Sequence, residues 1–400
     1  MNVLSGAQLA DGNVVDVLVD GEYVRGVGPA GSLRDHPGEH TDLRGFLLVE
    51  ATVEPHAHLD KTRTWDDVGC TSGELTDAVA AWHHWSANRH QEDVRRRADL
   101  TLTEMLANGT TVVRTHVDVL PGPDPLVAVR ALLALRDDWR DRLDLQIVPL
   151  LFDWTPDEIA LEAVSAGVDL IGGCPHLAAD PAQETHRLVM LAERCELGLD
   201  LHVDESLDPT VRTLAVLANL VTERGFPHPV TAGHCVSLGQ LPPEDLRATI
   251  EVVADAGIQV VALPQTNLYL QGRGLPNPQP RGLTAVSALA AAGVTVAGGG
   301  DNIADPFNPM GRADALETAS LLVTAAHLPV PMAFEAVSRS ARRVVDDGPA
   351  GPEAGRRADL LAIRAATLAD AVGRAPVERI VWRAGREVAR TTVLRQVAEQ

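Results

Sequence analysis

Short apolar runs alternate with longer amphipathic segments through the centre of the chain, a pattern typical of β-strands followed by α-helices. Some helical segments have clear start signals, such as Asp180-Pro181, which places a capping side chain before a proline. Eight such strands predict a parallel sheet closed into a (β/α)8 TIM barrel, although periodicity alone is equally compatible with an open doubly wound sheet. The predicted strands are residues 47–54, 111–118, 144–150, 167–171, 198–203, 229–232, 259–263 and 295–298.

Both ends of the chain have a different pattern, in which short alternating strands are joined by turns. Asp20-Gly21 separates two alternating apolar runs and predicts a hairpin, and residues 358–363 and 380–388 continue the same pattern. We therefore expect the two ends to meet in one small β-sandwich. The predicted domains are this sandwich, from residues 1–50 with 350–400, and the barrel, from residues 51–349.

Composition narrows the class of protein. The net charge is −21, from 34 basic and 55 acidic residues, which disfavours nucleic acids and anionic membranes as partners because both are polyanions. The four cysteines form no Cys-x-x-Cys pair, so they predict neither a disulfide framework nor a thiolate zinc site. The first residues lack the basic segment of a secretory signal and reach Asp11 early. We expect a cytoplasmic protein that binds a small molecule.

The predicted strand ends carry a set of metal-binding side chains. His56 and His58 are two residues apart, so on one strand they point the same way and can bind one ion. Taken alone, this pair is equally compatible with two ordinary polar residues at a strand end. However, His202, His234 and Asp301 follow the fifth, sixth and eighth predicted strands. Because the carboxyl ends of barrel strands share one mouth, we expect these groups to converge, and such a set suits zinc or ferrous iron.

Six stretches of this chain resemble the amidohydrolase superfamily and, more narrowly, its bacterial cytosine deaminase branch. They are residues 53–61, 107–118, 145–148, 202–205, 267–273 and 301–306. The resemblance implies a distorted (β/α)8 barrel with a small β-sandwich built from both termini, in an assembly that is often oligomeric. It also implies one divalent metal ion, Zn2+ or Fe2+, held by His56, His58, His202 and Asp301.

The lysine content supports a single metal ion. Superfamily members with two metals commonly bridge them with a carboxylated lysine at the end of the fourth strand. Here that strand ends at Cys174, and Lys61 is the only lysine in the chain.

The resemblance implies hydrolytic deamination of cytosine or a related amino-substituted N-heterocycle, with release of ammonia. A bound divalent cation lowers the pKa of water from about 15.7 toward roughly 7 and supplies hydroxide at neutral pH. Glu205 would protonate the ring, His234 would orient the water and help to deprotonate it, and Asp301 would carry its proton to the leaving amine. One alternative is hydrolysis of a cyclic amide or an N-alkyl aminotriazine. A non-catalytic metal-binding barrel is a second, which the presence of an acid and a base disfavours.

Two positions depart from the cytosine deaminase pattern and bear on the substrate. Phe152 stands where those enzymes carry a glutamine that recognises the pyrimidine, and Asn302 stands where they carry an aspartate. A phenyl group cannot replace an amide that hydrogen-bonds a ring, so a larger or more apolar heterocycle is a fair alternative to cytosine. Further candidate substrate-binding residues are Asp153, His176 and Phe307.

Several other polar residues leave structural and functional interpretations open. Lys61 would bind an acidic group of the substrate or pair with Asp60. His116 and Asp118 are expected to form a hydrogen-bonded structural pair. His83 and His84 would pack on a helix face or line the substrate pocket.

Overall fold

Two sheets of eight strands organise the part of the chain that the computed structural model describes, namely residues 1–70, 72–277, 279–394 and 396. In chain order the strands are β1 (Asn2–Gln8), β2 (Val14–Asp20), β3 (Tyr23–Pro29), β4 (Glu39–Asp42), β5 (Leu47–Glu50), β6 (Thr52–Ala57), β7 (Thr110–Asp118), β8 (Asp144–Leu151), β9 (Leu170–Gly173), β10 (Gly198–Val203), β11 (Val230–His234), β12 (Gln259–Ala262), β13 (Val296–Gly298), β14 (Leu360–Ile363), β15 (Arg379–Arg383) and β16 (Arg386–Thr391).

The α-helices of the same residues lie between or after these strands. They are α1 (Trp65–Val68), α2 (Leu75–Ser86), α3 (Gln91–Ala107), α4 (Val127–Trp139), α5 (Asp157–Ala166), α6 (Pro181–Cys195), α7 (Thr213–Arg224), α8 (Pro243–Asp255), α9 (Pro264–Leu270), α10 (Val286–Ala291), α11 (Ala315–Ala326), α12 (Val330–Ala336), α13 (Arg339–Val344) and α14 (Leu368–Arg374). None of them combines the length and the apolar character needed to cross a membrane.

The first sheet joins both ends of the chain, as the alternating terminal strands predict. Its order is β16-β15-β14-β5-β1-β2-β3, with β4 beside β1, and the predicted hairpin is the antiparallel pair of β2 and β3. Side chains such as Leu4, Val17 and Trp382 are buried together beneath it. The small sandwich-like domain is thereby confirmed. Its boundaries at residues 50 and 350 stay a prediction, and residues 395 and 397–400 lie outside the described residues.

The second sheet is the barrel. Strands β6 to β13 pair in parallel and in sequence order, so every neighbour in the sheet is also a neighbour along the chain. The seam between the first and last strands is held by backbone groups, because Asp301 N donates to His56 O at 2.9 Å and His58 N donates to Asp301 O at 3.3 Å. An open doubly wound sheet would leave these two strands apart, so the predicted (β/α)8 barrel is confirmed.

The predicted strand 47–54 is wrong in one respect, since it consists of two strands in different sheets. β5 pairs antiparallel with β14 in the small sheet, whereas β6 pairs parallel with β7 in the barrel. The change of partner falls at Ala51 and Thr52, whose N–H groups donate to Asp359 O and Gly109 O, both at 3.0 Å. Strands in both sheets are buried on this run, so its apolar pattern is continuous and does not reveal the division.

Candidate active site

The strands that carry the predicted functional residues turn sharply where those residues lie. Asp204 directly follows β10, His234 is the last residue of β11, and Asp301 follows β13. Their φ angles are positive, at 50°, 66° and 60° respectively. Residues other than glycine adopt this left-handed backbone conformation at a cost of roughly 1–3 kcal/mol, and such residues concentrate at functional sites. The sharp turns direct the end of each strand into the barrel mouth.

The predicted metal-binding residues meet in one buried cluster. The Nε2 atom of His202 lies 3.2 Å from Nε2 of His56 and 3.0 Å from Nε2 of His58. Oδ1 of Asp301 lies 3.2 Å from Nε2 of His58 and 3.7 Å from Nε2 of His56. Two ligands about 2.1 Å from one tetrahedral ion lie roughly 3.4 Å apart, so these separations are compatible with a shared cation. His234 also offers a ligand atom within 4.8 Å of those of His56, His202 and Asp301.

Protonation and hydrogen bonding also suit a cation. Burial, reinforced by neighbouring positive groups, lowers the pKa of His56, His58 and His202 and so favours the neutral imidazole that binds metals. Among the described residues, neither carboxylate oxygen of Asp301 has a hydrogen-bond partner. Burial raises the pKa of Asp301 to about 8, and a bound cation would reverse that shift by favouring the ionised form.

A buried glutamate that the sequence interpretation did not include supports the cluster. Glu54 accepts hydrogen bonds from His56 N at 3.1 Å and from Gly300 N at 2.9 and 3.0 Å, which ties β6 to the segment that leads to Asp301. A Cβ atom at Gly300 would lie 2.9 Å from Oε2 of Glu54, so the close approach requires glycine. The signal available in the sequence was the charge of Glu54, which stands in the largely apolar run 47–54.

Glu205 and His234 stand beside the cluster as the sequence predicts. Nδ1 of His234 lies 3.3 Å from Oε1 of Glu205, and its Nε2 lies 4.0 Å from Oδ2 of Asp301. Burial raises the pKa of Glu205 well above its ordinary value, and the Asp301 carboxylate adds to the shift. The raised pKa favours the protonated carboxyl group, which is the form that donates a proton.

One pocket with a cavity volume of about 50 Å³, partly open to solvent, lies over these groups. Phe152, Asn302 and Phe307, which the sequence predicts to bind substrate, line it together with His58, Glu205, His234 and Asp301. Part of its wall is apolar and is formed by Leu75, Val79, Leu150, Cys174 and Leu177.

The other two predicted substrate-binding residues lie elsewhere. Asp153 is exposed on the outer side of the strand end, where its carboxylate accepts a hydrogen bond from Ala179 N at 3.1 Å. His176 lies behind the cluster and forms a hydrogen bond of 3.0 Å through Nδ1 with His202 O. The structure therefore does not bring Asp153 to the pocket, and it places His176 against a predicted metal-binding residue.

Lys61 lines the pocket and pairs with Asp118 rather than Asp60. Its Nζ donates to the two carboxylate oxygens of Asp118 at 2.9 and 3.0 Å, and Nε1 of Trp82 donates to the same carboxylate at 2.8 Å. Nζ also lies 4.8 Å from the centre of the Phe307 ring. This buried ion pair forms part of the pocket wall opposite the apolar residues of α2.

The expected pair of His116 and Asp118 does not form. His116 is fully buried with its ring 4.1 Å from that of His56 and its Nε2 3.5 Å from Oδ1 of Asp200. His83 lines the pocket with its ring edge-on to Phe152, whereas His84 is exposed. His116 thus packs beneath the metal cluster, and His83 belongs to the substrate side.

Comparisons with known proteins give consistent results. A profile of the amidohydrolase family matches residues 138–389. The chain is similar to the pterin deaminase of Rhizobium rhizogenes, with 34% identity over 394 residues that cover 94% of this chain and 88% of that protein.

Two solved structures are similar over almost the whole length. One is the 5-methylcytosine deaminase from Klebsiella pneumoniae liganded with 5-fluorocytosine, with a TM-score of 0.89, 28% identity and 99% of each chain covered. The other is the N-isopropylammelide isopropylaminohydrolase from Burkholderia multivorans, with a TM-score of 0.83, 30% identity and coverage of 97% of this chain and 98% of that chain.

Proposed function

The chain belongs to the amidohydrolase family, and on this premise we propose that it hydrolyses the exocyclic amino group of a pterin and releases ammonia. The deaminase class rests on one observation above all. A buried carboxyl group, Glu205, and a buried imidazole, His234, stand side by side next to Asp301, and all three line the same pocket. Hydrolysis at a ring carbon requires an acid for the ring nitrogen and a partner for the water, and this arrangement supplies both.

One divalent cation held by His56, His58, His202 and Asp301 would lower the pKa of a water molecule toward roughly 7. We propose Zn2+ or Fe2+, since imidazole and carboxylate ligands suit both. A possible homo-oligomer and a cytoplasmic location stay predictions.

The protein side chains then have separate tasks. Glu205 donates a proton to the ring nitrogen beside the amino-bearing carbon, which makes that carbon electrophilic. His234 orients the attacking water from the side of Nε2. Oδ2 of Asp301 accepts the water proton and transfers it to the amine, which leaves as ammonia. The water oxygen remains on the ring as a carbonyl once its second hydrogen has returned to the Glu205 carboxylate, so pterin and water yield the 2,4-dioxo compound and ammonia.

The bicyclic substrate is supported by similarity and by shape. The relative with 34% identity is named a pterin deaminase, and the match covers 94% of this chain. Phe152 presents an aromatic surface in the pocket, stacked on Trp154 with ring centres 4.8 Å apart. Such a surface favours a second fused ring. It offers no hydrogen bond to the small polar ring of cytosine, so cytosine is the less favoured substrate.

The test is release of ammonia by metal-loaded protein from pterin, isocytosine and cytosine, with Glu205→Gln as the matched control. We expect pterin to be converted fastest, to its 2,4-dioxo product, and the control to be strongly impaired. Failure to release ammonia from pterin, with about one metal ion bound per chain, would overturn the proposal.

A second candidate is removal of an alkylamine from an aminotriazine ring. It is favoured by the 30% identity with the isopropylaminohydrolase structure and by the apolar pocket wall, which suits an alkyl group. N-isopropylammelide in the same panel separates the two functions, because this reaction yields isopropylamine instead of ammonia.

A further inference from the structure

Asn267 contacts the acid and the imidazole of the site at the same time. It lies on α9, directly after β12, and is 1% exposed. Its Nδ2 donates to Oε1 of Glu205 at 3.1 Å and lies 3.0 Å from Nδ1 of His234. We propose that Asn267 is a positioning residue that holds Glu205 and His234 in the orientation the reaction requires. This inference rests on the proposed function.

One amide can serve both groups because its nitrogen carries two hydrogens. Within the described part of the chain, Oδ1 of Asn267 has no hydrogen-bond partner, so both contacts are made by the nitrogen. When Oε1 of Glu205 accepts from Asn267, the acidic hydrogen belongs on Oε2. The contact therefore selects which oxygen donates to the substrate ring.

The same contact selects the form of the His234 ring. A neutral imidazole that accepts at Nδ1 carries its hydrogen on Nε2. Nε2 is the atom that lies 4.0 Å from Oδ2 of Asp301. His234 then donates a hydrogen bond to the reacting oxygen instead of accepting its proton, which leaves Asp301 as the proton acceptor. Asn267 thereby separates two roles that overlapped in the sequence interpretation, which gave both His234 and Asp301 a part in deprotonating the water.

The helix that carries Asn267 is itself anchored to the site. Gln271, the residue that directly follows α9, donates from Nε2 to Glu205 O at 3.3 Å. Thr266 Oγ1 lies 3.3 Å from Oδ1 of Asn302, next to Asp301. Contacts of residues on both sides of Asn267 therefore fix the segment that carries its amide group.

The test compares Asn267→Leu and Asn267→Asp, which keep the approximate shape but remove the donor, with Gln265→Leu as the control. Gln265 is on the same helix, and its Nε2 donates to Thr318 Oγ1 at 2.7 Å, away from Glu205 and His234. We expect both Asn267 variants to lower kcat by about 100-fold or more, with KM changed less than about threefold and the metal content unchanged. The control should lose stability but keep kcat.

A double-variant cycle checks that Asn267 acts through the predicted partner. In a Glu205→Gln background, Asn267→Leu should cost much less than in the wild type, because the residue to be positioned is already impaired. The measurements use whichever heterocycle the wild type deaminates fastest, so inactivity on pterin alone overturns the proposed substrate and not this inference. A kcat within threefold of the wild type, or equal losses in both backgrounds, would overturn the inference.

A readout without substrate keeps the inference falsifiable. In metal-loaded protein labelled with 15N-histidine, the His234 signals are identified by their loss in His234→Gln. We expect hydrogen on Nε2 and an unprotonated Nδ1 in the wild type, and loss of this preference in Asn267→Leu. A wild-type ring with its hydrogen on Nδ1 would contradict the proposed contact.

Discussion

Replacement of Lys61 by methionine should lower the free energy of unfolding by about 3–5 kcal/mol, because it leaves the Asp118 carboxylate buried without its cation. Lys61 and Asp118 are 3% and 2% exposed, so water does not compensate for the lost partner. Burial lowers the pKa of Lys61, but the nearby Asp118 and Asp60 carboxylates outweigh it and raise the value overall. The ammonium is therefore charged throughout the pH range in which unfolding is measured.

The magnitude follows from the geometry of the pair. At the 2.9 Å separation of Nζ and Oδ1, an effective dielectric constant of about 20 gives a Coulomb attraction of roughly 6 kcal/mol. Desolvation of the two ions offsets most of this in the intact pair, so the cost appears mainly when one partner is removed. In Lys61→Met/Asp118→Leu neither member of the pair remains, and the main loss is the acceptor for Trp82 Nε1, worth about 1–3 kcal/mol.

The assay is urea unfolding of the metal-loaded variants under identical conditions. Arg95→Met is the matched control, since it removes the cation of an exposed pair with Asp138, a change worth about 0–1 kcal/mol. We expect the order control, double variant, Lys61→Met from most to least stable. The reasoning is refuted if Lys61→Met is as stable as the control, or if the double variant is less stable than Lys61→Met.

Four further predictions concern the site. Glu205→Gln should lower kcat for ammonia release by about 10²–10⁴-fold with the metal retained, and near-normal turnover would contradict its role as acid. Phe152→Gln should raise the turnover of cytosine relative to pterin by roughly tenfold, the value of one hydrogen bond; an unchanged ratio would count against Phe152 as the selecting residue. Burial lowers the pKa of His176 from 6.5 to about 4, so the unfolded chain binds more protons in that window and the free energy of unfolding falls as pH drops through it, by up to about 3 kcal/mol. Urea unfolding of His176→Asn should show a flatter pH dependence, and an unchanged slope would rule this out. Chelation should lower Tm, measured by calorimetry, and zinc should restore it, because an ion that binds only the native state stabilises it.

Much of the fold could be predicted because each barrel strand is a short apolar run bounded by helix signals. The observed β10 matches its predicted bounds, and β7, β8 and β12 differ from theirs by one residue at one end. The predicted domain boundary falls inside the run 47–54, but the run was still expected to be one strand, since its division depends on which distant strand provides the next hydrogen bond. The choice of partner strand does not change the local pattern of apolar residues.

The convergence of His56, His58, His202 and Asp301 could be predicted because barrel strands bring their carboxyl ends to one place. The contacts around these residues were harder to predict from the sequence. Lys61 meets Asp118, 57 residues away in sequence, and not its neighbour Asp60. Phe152 faces the pocket, whereas Asp153, in the turn that follows β8, faces outward. Asn267 had no signal beyond its presence in a family-like stretch, since its two contacts come from different strands.

The seam of the barrel has a consequence for how the protein is made. Glu54 on β6 accepts its hydrogen bonds from Gly300, 246 residues later, and His56, His58 and Asp301 meet across the same seam. At a ribosomal rate of about 5–20 residues per second, on the order of 10 to 50 seconds separate the synthesis of the two sides. During that interval the nascent chain presents two histidines without the carboxylate that completes the set. Selective binding of the ion therefore requires a chain in which the seam has closed.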